Sequence, residues 1–419
     1  MRILYVTQYY ASPAEPGSLR HSTHVRHLVK CGHSVTVLTT YVLHKQTDVR
    51  EEYRNVRVAR ESLDGATVIK VRSTPTFEGF IGRLRNYLSF MLNASAAGLR
   101  QAGSFDVVLA SSPSLFVGLA GWMLAIAKRA RFVLEVRDLW PQSAIALGIL
   151  RNRCAILASR WLERLLYRRA WRIIAVTEGI ADTIKRRCTH PDKVHVIPNG
   201  IDARLFADEN IAVSDSLRTE AGKPFVVMYA GSHGMNNSLD LMISTATKLR
   251  EHRDIAFVLI GQGDRTATLK AQCEAEQLEN VVFLGARPRA QVPAYLMSAD
   301  VLFWPVHWSP GDEQLLEVKR GARPNKLLDY LAAGKPILTS APPDSEGASL
   351  LNRFSAGIVV APDPAALSQG ILRIQEDAEL RSRLAQDRQE AIKSLDRARM
   401  AATLERVLRG EARGEYADA

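Results

Sequence analysis

Short apolar runs alternate with longer amphipathic stretches along the whole chain. Arg2–Thr7, Val35–Thr39, Val68–Arg72, Asp106–Ala110, Phe132–Val136, Ile173–Thr177 and Val194–Ile197 read as strands, because brief apolar runs bounded by turn residues suit strands covered on both faces. Between the first two, Val25, Leu28 and Val29 face inward on a helix that Gly32 ends. Strand, helix and strand at this spacing form a βαβ unit, whose right-handed crossover implies parallel pairing. A second series follows Phe206: Phe225–Ala230, Ala256–Ile260, Val281–Leu284, Val301–Trp304, Pro336–Thr339 and Gly357–Val360. Leu239, Met242, Ile243, Ala246 and Leu249 recur at the 3.6-residue period of a helix packed on a sheet. The pattern predicts an α/β protein of two doubly wound halves, 1–205 and 206–390, with the polar stretch near 200–222 as the junction. A charged helical tail, 391–419, is expected to pack back on the first half. Ligands are expected at the carboxyl ends of both sets of strands, in a cleft between the halves.

Length and composition agree with two cores. The chain has 419 residues, 47% hydrophobic and 24% charged, which excludes a single small module and wholesale disorder. Lys and Arg number 55 against 44 acids, a net charge of +11, so an anionic partner is expected: nucleic acid, a membrane surface or a phosphate-bearing substrate. Four dispersed cysteines without C-x-x-C spacing indicate neither a zinc cluster nor a disulfide framework, and fit a reducing cytoplasm. The N-terminus reads as a strand rather than a signal peptide. The longest apolar run, 13 residues from Leu115 to Ala127, falls short of the roughly 20 that a spanning helix needs.

Several motifs carry candidate chemistry. VIPNGID (Val196–Asp202) stops a strand at Pro198 and turns at Asn199-Gly200; YAGSHG (Tyr229–Gly234), GQGD (Gly261–Asp264), FLGARPRAQVP (Phe283–Pro293) and PNKLLDYLAAGKP (Pro324–Pro336) follow it. In this order and spacing the motifs resemble retaining glycosyltransferases of family 4, which have the two-domain GT-B fold of facing Rossmann-like domains. EVRDLWP (Glu135–Pro141) resembles a subgroup of bacterial surface-polysaccharide enzymes that includes transferases of N-acetylfucosamine-type deoxy sugars, with Arg137 where many members have His.

The glycine turn Gly231-Ser232-His233-Gly234 follows a strand and opens a helix, so its backbone N–H groups and the positive dipole end suit phosphate oxygens. Gly261 and Gly263 belong to the same donor side. Lys326 could neutralise a β-phosphate as the glycosidic bond breaks, and Asp329, three residues on, matches the family acid expected to accept ribose hydroxyls. The resemblance adds Val292, Arg323 and Leu327 to the donor site. It implies catalytic roles for Lys326, Arg287 and Arg137. The family's first acid is replaced by Gly321, with Asp312, Glu313 or Glu317 able to substitute only if the preceding loop folds back. Its Arg and Lys after the glycine turn are replaced by Ser232 and by Asn237 or Ser238, which shifts diphosphate stabilisation onto Lys326, Arg287 and Arg323. On the acceptor side stand Gly17, Ser18, Arg20, His21, Arg137 and Asp138. His21, His24 and His27 do not share one helical face, and no D-x-D pair is present, so no metal and no cofactor beyond the nucleotide-sugar co-substrate is expected.

The resemblance implies retaining transfer from a nucleotide sugar, UDP-linked, to a lipid-linked saccharide in O-antigen or capsule assembly. Competing readings are a nucleotide-sugar 2-epimerase on the same fold and a non-catalytic subunit that binds nucleotide sugar or lipid. Ten Lys/Arg and three acids between Arg151 and Cys188, with Trp161, Tyr167 and Trp171, suggest an anionic inner-membrane surface as a partner. Phe80, Leu84, Tyr87, Leu88 and Met91 add an apolar stripe beside Arg83 and Arg85. Nucleic acid is not expected, because no binding motif accompanies the charge.

Overall fold

The computed structural model describes residues 1–10, 19–42, 51–75, 79–112, 114–146, 148–207, 214–309, 311–385 and 387–411. The chain divides into two compact domains, Met1–Asn199 together with the chain from Arg397, and Gly200–Asp396. The boundary therefore falls before the expected 205/206. The reason is local: Ile201 pairs with Asp396, and Phe206 is buried in the second domain's core. The expected tail divides as well. Helix Arg388–Ser394 stays with the second domain, where Arg388 donates to the Ala332 carbonyl at 2.7 Å. Helix Arg397–Arg409 packs on helix Arg20–Lys30 and contributes Met400, Leu404, Val407 and Leu408 to the first domain's core.

Among the described residues the first domain holds an eight-stranded sheet. In chain order its strands are β1 Arg2–Thr7, β2 Ser34–Thr40, β3 Val58–Leu63, β4 Ala66–Val71, β5 Val107–Ser111, β6 Arg131–Val136, β7 Arg172–Ala175 and β8 Val194–Val196. They lie in the order β3-β4-β2-β1-β5-β6-β7-β8, parallel except for the antiparallel β3/β4 pair. The central strands β1, β5 and β6 are almost wholly buried, as continuous apolar runs between two layers require. β3 is absent from the expected strands because its half-exposed sequence, VARESL, has no apolar run. Its turn was legible: Asp64 and Gly65 both have positive φ (56° and 76°), the geometry for which Asp-Gly is the commonest hairpin signal.

The second domain's sheet has β9 Phe225–Ala230, β10 Ile255–Ile260, β11 Val281–Gly285, β12 Val301–Trp304, β13 Ile337–Thr339 and β14 Gly357–Val359. They lie in the order β11-β10-β9-β12-β13-β14, with every pairing parallel. In each sheet the strand order reverses beside a central strand, between β1 and β5 and between β9 and β12. Such switch points open a crevice at the carboxyl ends of the strands, where α/β proteins hold ligands.

The aromatic and apolar residues picked for a membrane surface separate. Tyr167 is buried and donates to Glu163 at 3.1 Å, and Trp171 lies half-buried under the Arg131 guanidinium at 4.6 Å. Leu84, Tyr87, Leu88 and Met91 are half-buried, because helix Gly79–Leu99 turns that side toward its neighbours; the side chain of Phe80 lies outside the described residues. Ile81, Leu92 and Leu99 are the exposed apolar residues of that helix. Leu157 and Trp161, each 66% exposed, serve the same face on helix Arg153–Arg169.

Candidate functional site

The second domain's cluster forms where β9 and β10 end. The two glycine turns lie against each other: Gly231 N–H donates to Ile260 O at 2.9 Å, His233 N–H to Gln262 O at 3.1 Å and Arg265 N–H to His233 O at 3.0 Å. A Cβ on Gly263 would stand 2.7 Å from the His233 carbonyl oxygen, and one on Gly261 would collide with that of Gly231. These glycines allow backbone to meet backbone. The turn does not itself open a helix, contrary to expectation. A 3₁₀ turn, Met235–Asn237, intervenes, Ser238 adopts φ 50°, and the helix starts at Leu239. The N–H groups of Gly231 and His233 are used by carbonyls, and a side chain adds positive charge beside the turn.

Lys326 supplies it. It sits in the first turn of helix Asn325–Ala333, and its Nζ donates to Tyr229 Oη at 2.5 Å and Asn237 Oδ1 at 2.7 Å, 4.3 Å from the Tyr229 ring centroid. A Cβ on Gly231 would lie 3.3 Å from that Nζ, so the glycine keeps the ammonium beside the turn. Among the described residues no carboxylate pairs with Lys326. Burial, with repulsion from Lys319, lowers its pKa to about 7. A desolvated ammonium held by neutral groups is prepared for an incoming anion.

The other residues expected on the donor side are placed as follows. Ser232 is exposed, and its carbonyl accepts from Tyr229 Oη at 2.9 Å and Asn237 Nδ2 at 2.7 Å. His233 is buried, its Nδ1 is 3.0 Å from Thr266 Oγ1, and burial holds its pKa low. Gly234 is buried ahead of the 3₁₀ turn. Asp329 faces Arg289, at 3.2 and 3.4 Å. Arg287 pairs with Glu220 at 2.9 Å and lies over Tyr295. Val292 begins helix Val292–Ser298 and packs on the core, Leu327 is core itself, and half-buried Arg323 lies on the segment before helix Asn325–Ala333. Of the acids considered for the missing position, Asp312 caps helix Glu313–Arg320 through Leu315 N–H and Glu313 faces Arg320, while Glu317 is half-buried on that helix. Sequence reasoning missed Tyr229, Asn237 as a lysine acceptor, and Arg289. All lay within the quoted motifs or beside the glycine turn, but nothing in one dimension says that they point at Lys326 or Asp329.

The first domain's cluster lies at the carboxyl ends of β1, β5 and β6, where Thr7, Ser111 and Glu135 are in register. Arg20, 3% exposed, gives Nε and Nη2 to Glu135 Oε1 at 2.9 and 2.8 Å, Nη2 to Ile197 O and Nη1 to Pro198 O. It therefore ties β6 to the segment after β8 and presents no ligand-facing surface, unlike the expected acceptor contact. Burial pushes the Glu135 pKa up, but Arg20 and its neighbours bring it well below the usual carboxylate range. His21 is buried, 2.7 Å from Tyr5 Oη through Nδ1 and 3.0 Å from Arg137 Nη1 through Nε2. Arg137 is half-buried and anchored by its own N–H on Ser112 Oγ at 2.8 Å. Asp138 accepts from Ser143 Oγ at 2.5 Å, and no ion pair joins it to Arg137 among the described residues. Gly17 and Ser18 lie outside the described residues. His21, His24 and His27 do not converge: the first two are buried, and His27 is half-buried with its Nε2 3.5 Å from Cys31 Sγ.

A Glycosyl transferase 4-like domain model matches residues 22–200, and a Glycosyl transferases group 1 model matches 215–391. The chain belongs to the GT-B glycosyltransferases. The chain is 24% identical over 216 residues to a Bacillus subtilis (strain 168) glycosyltransferase named for teichuronic acid biosynthesis, covering 51% of each chain. It spans about half the length of that relative. To glycosyltransferase WbjE of Pseudomonas aeruginosa it is 23% identical over 305 residues, 70% of this chain and 72% of the other. The crystal structure of Anabaena HepE with UDP-glucose shares its fold at a TM-score of 0.69 and 16% identity, covering 98% of this chain and 100% of that chain.

Proposed function

We propose that this chain is a retaining, metal-independent glycosyltransferase. It moves a sugar, an N-acetylated deoxyhexosamine, from a UDP-linked donor to a lipid-linked saccharide in bacterial surface-polysaccharide assembly. The observation that carries the reading is Lys326, an ammonium without a carboxylate partner among the described residues, held over a tight pair of glycine turns at a switch point. In this reading Lys326 meets the β-phosphate and stabilises the charge that grows as the bond to the anomeric carbon breaks. Arg287 and Arg323 serve the same diphosphate, and Asp329 accepts ribose hydroxyls with Arg289 beside it. The acceptor oxygen attacks from the face that the phosphate leaves and passes its proton to a phosphate oxygen, so positioning does most of the work. The HepE structure, a complex with UDP-glucose, and the Bacillus subtilis relative named for teichuronic acid biosynthesis support the donor and the pathway.

The acceptor is lipid-linked, so the enzyme works against the cytoplasmic face of the inner membrane. Among the described residues no helix is long and apolar enough to cross a membrane. Helix Leu115–Lys128 packs against both Gly79–Leu99 and Arg153–Arg169, and the three helices expose Leu92, Leu99, Met123, Ile126, Leu157 and Trp161 among arginines. Apolar residues set among cations suit an anionic headgroup layer.

Incubation with UDP-sugars and a lipid-linked acceptor tests the reading. Transfer is expected, with Lys326→Ala reducing turnover roughly 10²–10³-fold, the usual effect of losing one charge-stabilising group. Asp329→Ala is expected to weaken donor binding chiefly. Near-normal turnover in folded Lys326→Ala would overturn the site, and an epimerised donor without transfer would replace the reaction by a 2-epimerase.

A further inference from the structure

The cations at the carboxyl end of β6 are not treated alike. Glu135 is fully committed: Oε1 takes two donors from Arg20, and Oε2 accepts from the Ser111 hydroxyl. Asp138, whose pKa burial raises, takes the Ser143 hydroxyl. Arg137, between these two acids in sequence, is left with His21 as its side-chain partner. Arginine can only donate, so His21 Nε2 carries no proton, and the proton on Nδ1 is given to Tyr5 Oη at 2.7 Å. The Thr7 hydroxyl oxygen lies 3.3 Å from the same Nε2. Burial holds His21 neutral, its pKa lowered to about 3.

A neutral acceptor fixes the direction of the guanidinium without cancelling its charge. The remaining N–H groups of Arg137 have no protein partner among the described residues. The nearby carboxylates of Glu135 and Asp138 act on Arg137 through space but are hydrogen-bonded by Arg20, Ser111 and Ser143 instead, so the guanidinium's planar fork is left to fit a carboxylate or phosphate with two parallel hydrogen bonds. We propose that Arg137 is an oxyanion receptor, binding a carboxylate or phosphate group of the saccharide substrate, with His21 as its positioning residue. The substrate class is therefore an anionic saccharide: a uronic acid, or a sugar recognised through the phosphate that links it to lipid. Calling the ligand a substrate rests on the glycosyltransferase reading.

The test uses the full chain. UDP affinity is measured first; its absence would remove the glycosyltransferase reading, while the glucuronate comparison still decides the role of Arg137. With UDP saturating, so that pyrophosphate cannot use the nucleotide site, the protein is titrated with glucuronate, glucose and inorganic pyrophosphate. Calorimetry and the Arg137 Nε–H resonance report binding. A response to glucuronate but not glucose identifies a carboxylate, and a response to pyrophosphate identifies a phosphate; either supports the proposal. Arg137→Gln is expected to weaken the bound oxyanion at least about tenfold, the scale of one charge-assisted hydrogen bond, with UDP affinity kept. His21→Gln, which retains an acceptor for Arg137, should hold most of the affinity, whereas His21→Leu should lose it. Equal binding of glucose and glucuronate without a pyrophosphate response overturns the proposal, as does undiminished oxyanion binding by Arg137→Gln. Should that variant not fold, the wild-type comparison decides alone.

Discussion

Lys326 and His24 show what a single buried group imposes. Burial and Lys319 let the Lys326 proton leave near pH 7, whereas a bound diphosphate would hold it. Nucleotide affinity should therefore be steady below pH 7 and weaken above it, by up to about tenfold per pH unit, as binding comes to require proton uptake. Calorimetry of UDP binding at pH 8 in buffers of different ionisation enthalpy should find uptake approaching one proton; no uptake would take Lys326 away from the diphosphate. His24 is fully buried, both ring nitrogens lack a partner, and burial lowers its pKa. Above pH 6.5 it is neutral folded or unfolded and adds no pH dependence. Below that, the unfolded chain takes a proton that the folded one refuses, so stability falls with pH by up to about 1.4 kcal/mol per unit. His24→Leu should keep its Tm at pH 7 and lose less of it at pH 5 than the parent; an unchanged acid slope would contradict this account. No sequence pattern distinguished His24 from His21, because the difference lies in the partners: Tyr5, Thr7 and Arg137 surround the ring nitrogens of His21, and those of His24 have none among the described residues.

Paired elements explain the glycines. Gly261 and Gly263 let the turn after β10 reach the turn after β9, where any Cβ meets backbone that cannot swing aside. Gly263→Ala is expected to cost about 1–3 kcal/mol in urea unfolding and to weaken UDP binding as the turns part. Gly231→Ala differs, since its Cβ would meet the movable head of Lys326 as well as Tyr229 Oη. It should lower donor affinity as well as stability, since φ 156° disfavours a side chain there. Unchanged UDP affinity in folded Gly231→Ala would contradict the place of Lys326 beside the turn. The motifs containing these glycines were visible in the chain, whereas the backbone pairing that uses the N–H groups of Gly231 and His233 was not.

Across the molecule, charge and exposed apolar area fall on the same helices. The net charge is +11, and Arg153, Arg160, Arg164 and Arg168 stand exposed beside Leu157 and Trp161. Basic residues near an anionic surface contribute about 1 kcal/mol each and are screened by salt. Flotation should recover the protein with anionic vesicles, less at high salt, and less again for Trp161→Ala or for loss of Arg160, Arg164 and Arg168. Equal recovery with neutral vesicles would reject the surface. Tyr167, expected on that face, belongs to the core because helix Arg153–Arg169 turns it toward Glu163 and the sheet.

Most of the strands, the α/β class with two halves and the family motifs were legible in the sequence alone, because apolar period and turn residues act over a few neighbours and parallel crossovers have one hand. The edge strand β3 is a local hairpin on β4 whose half-exposed sequence carries no apolar run. The exact junction at Gly200 and the split of the tail at Arg397 were settled by contacts between distant segments: Ile201 with Asp396, and Leu404 in the first domain's core. The same holds for the polar groups. That Lys326 and Arg137 carry charge follows from residue type; that Asn237 and Tyr229 receive one, and a neutral His21 the other, depends on side chains far apart in the chain. Only folding decides which charges meet a counter-charge inside the protein and which are left for a ligand.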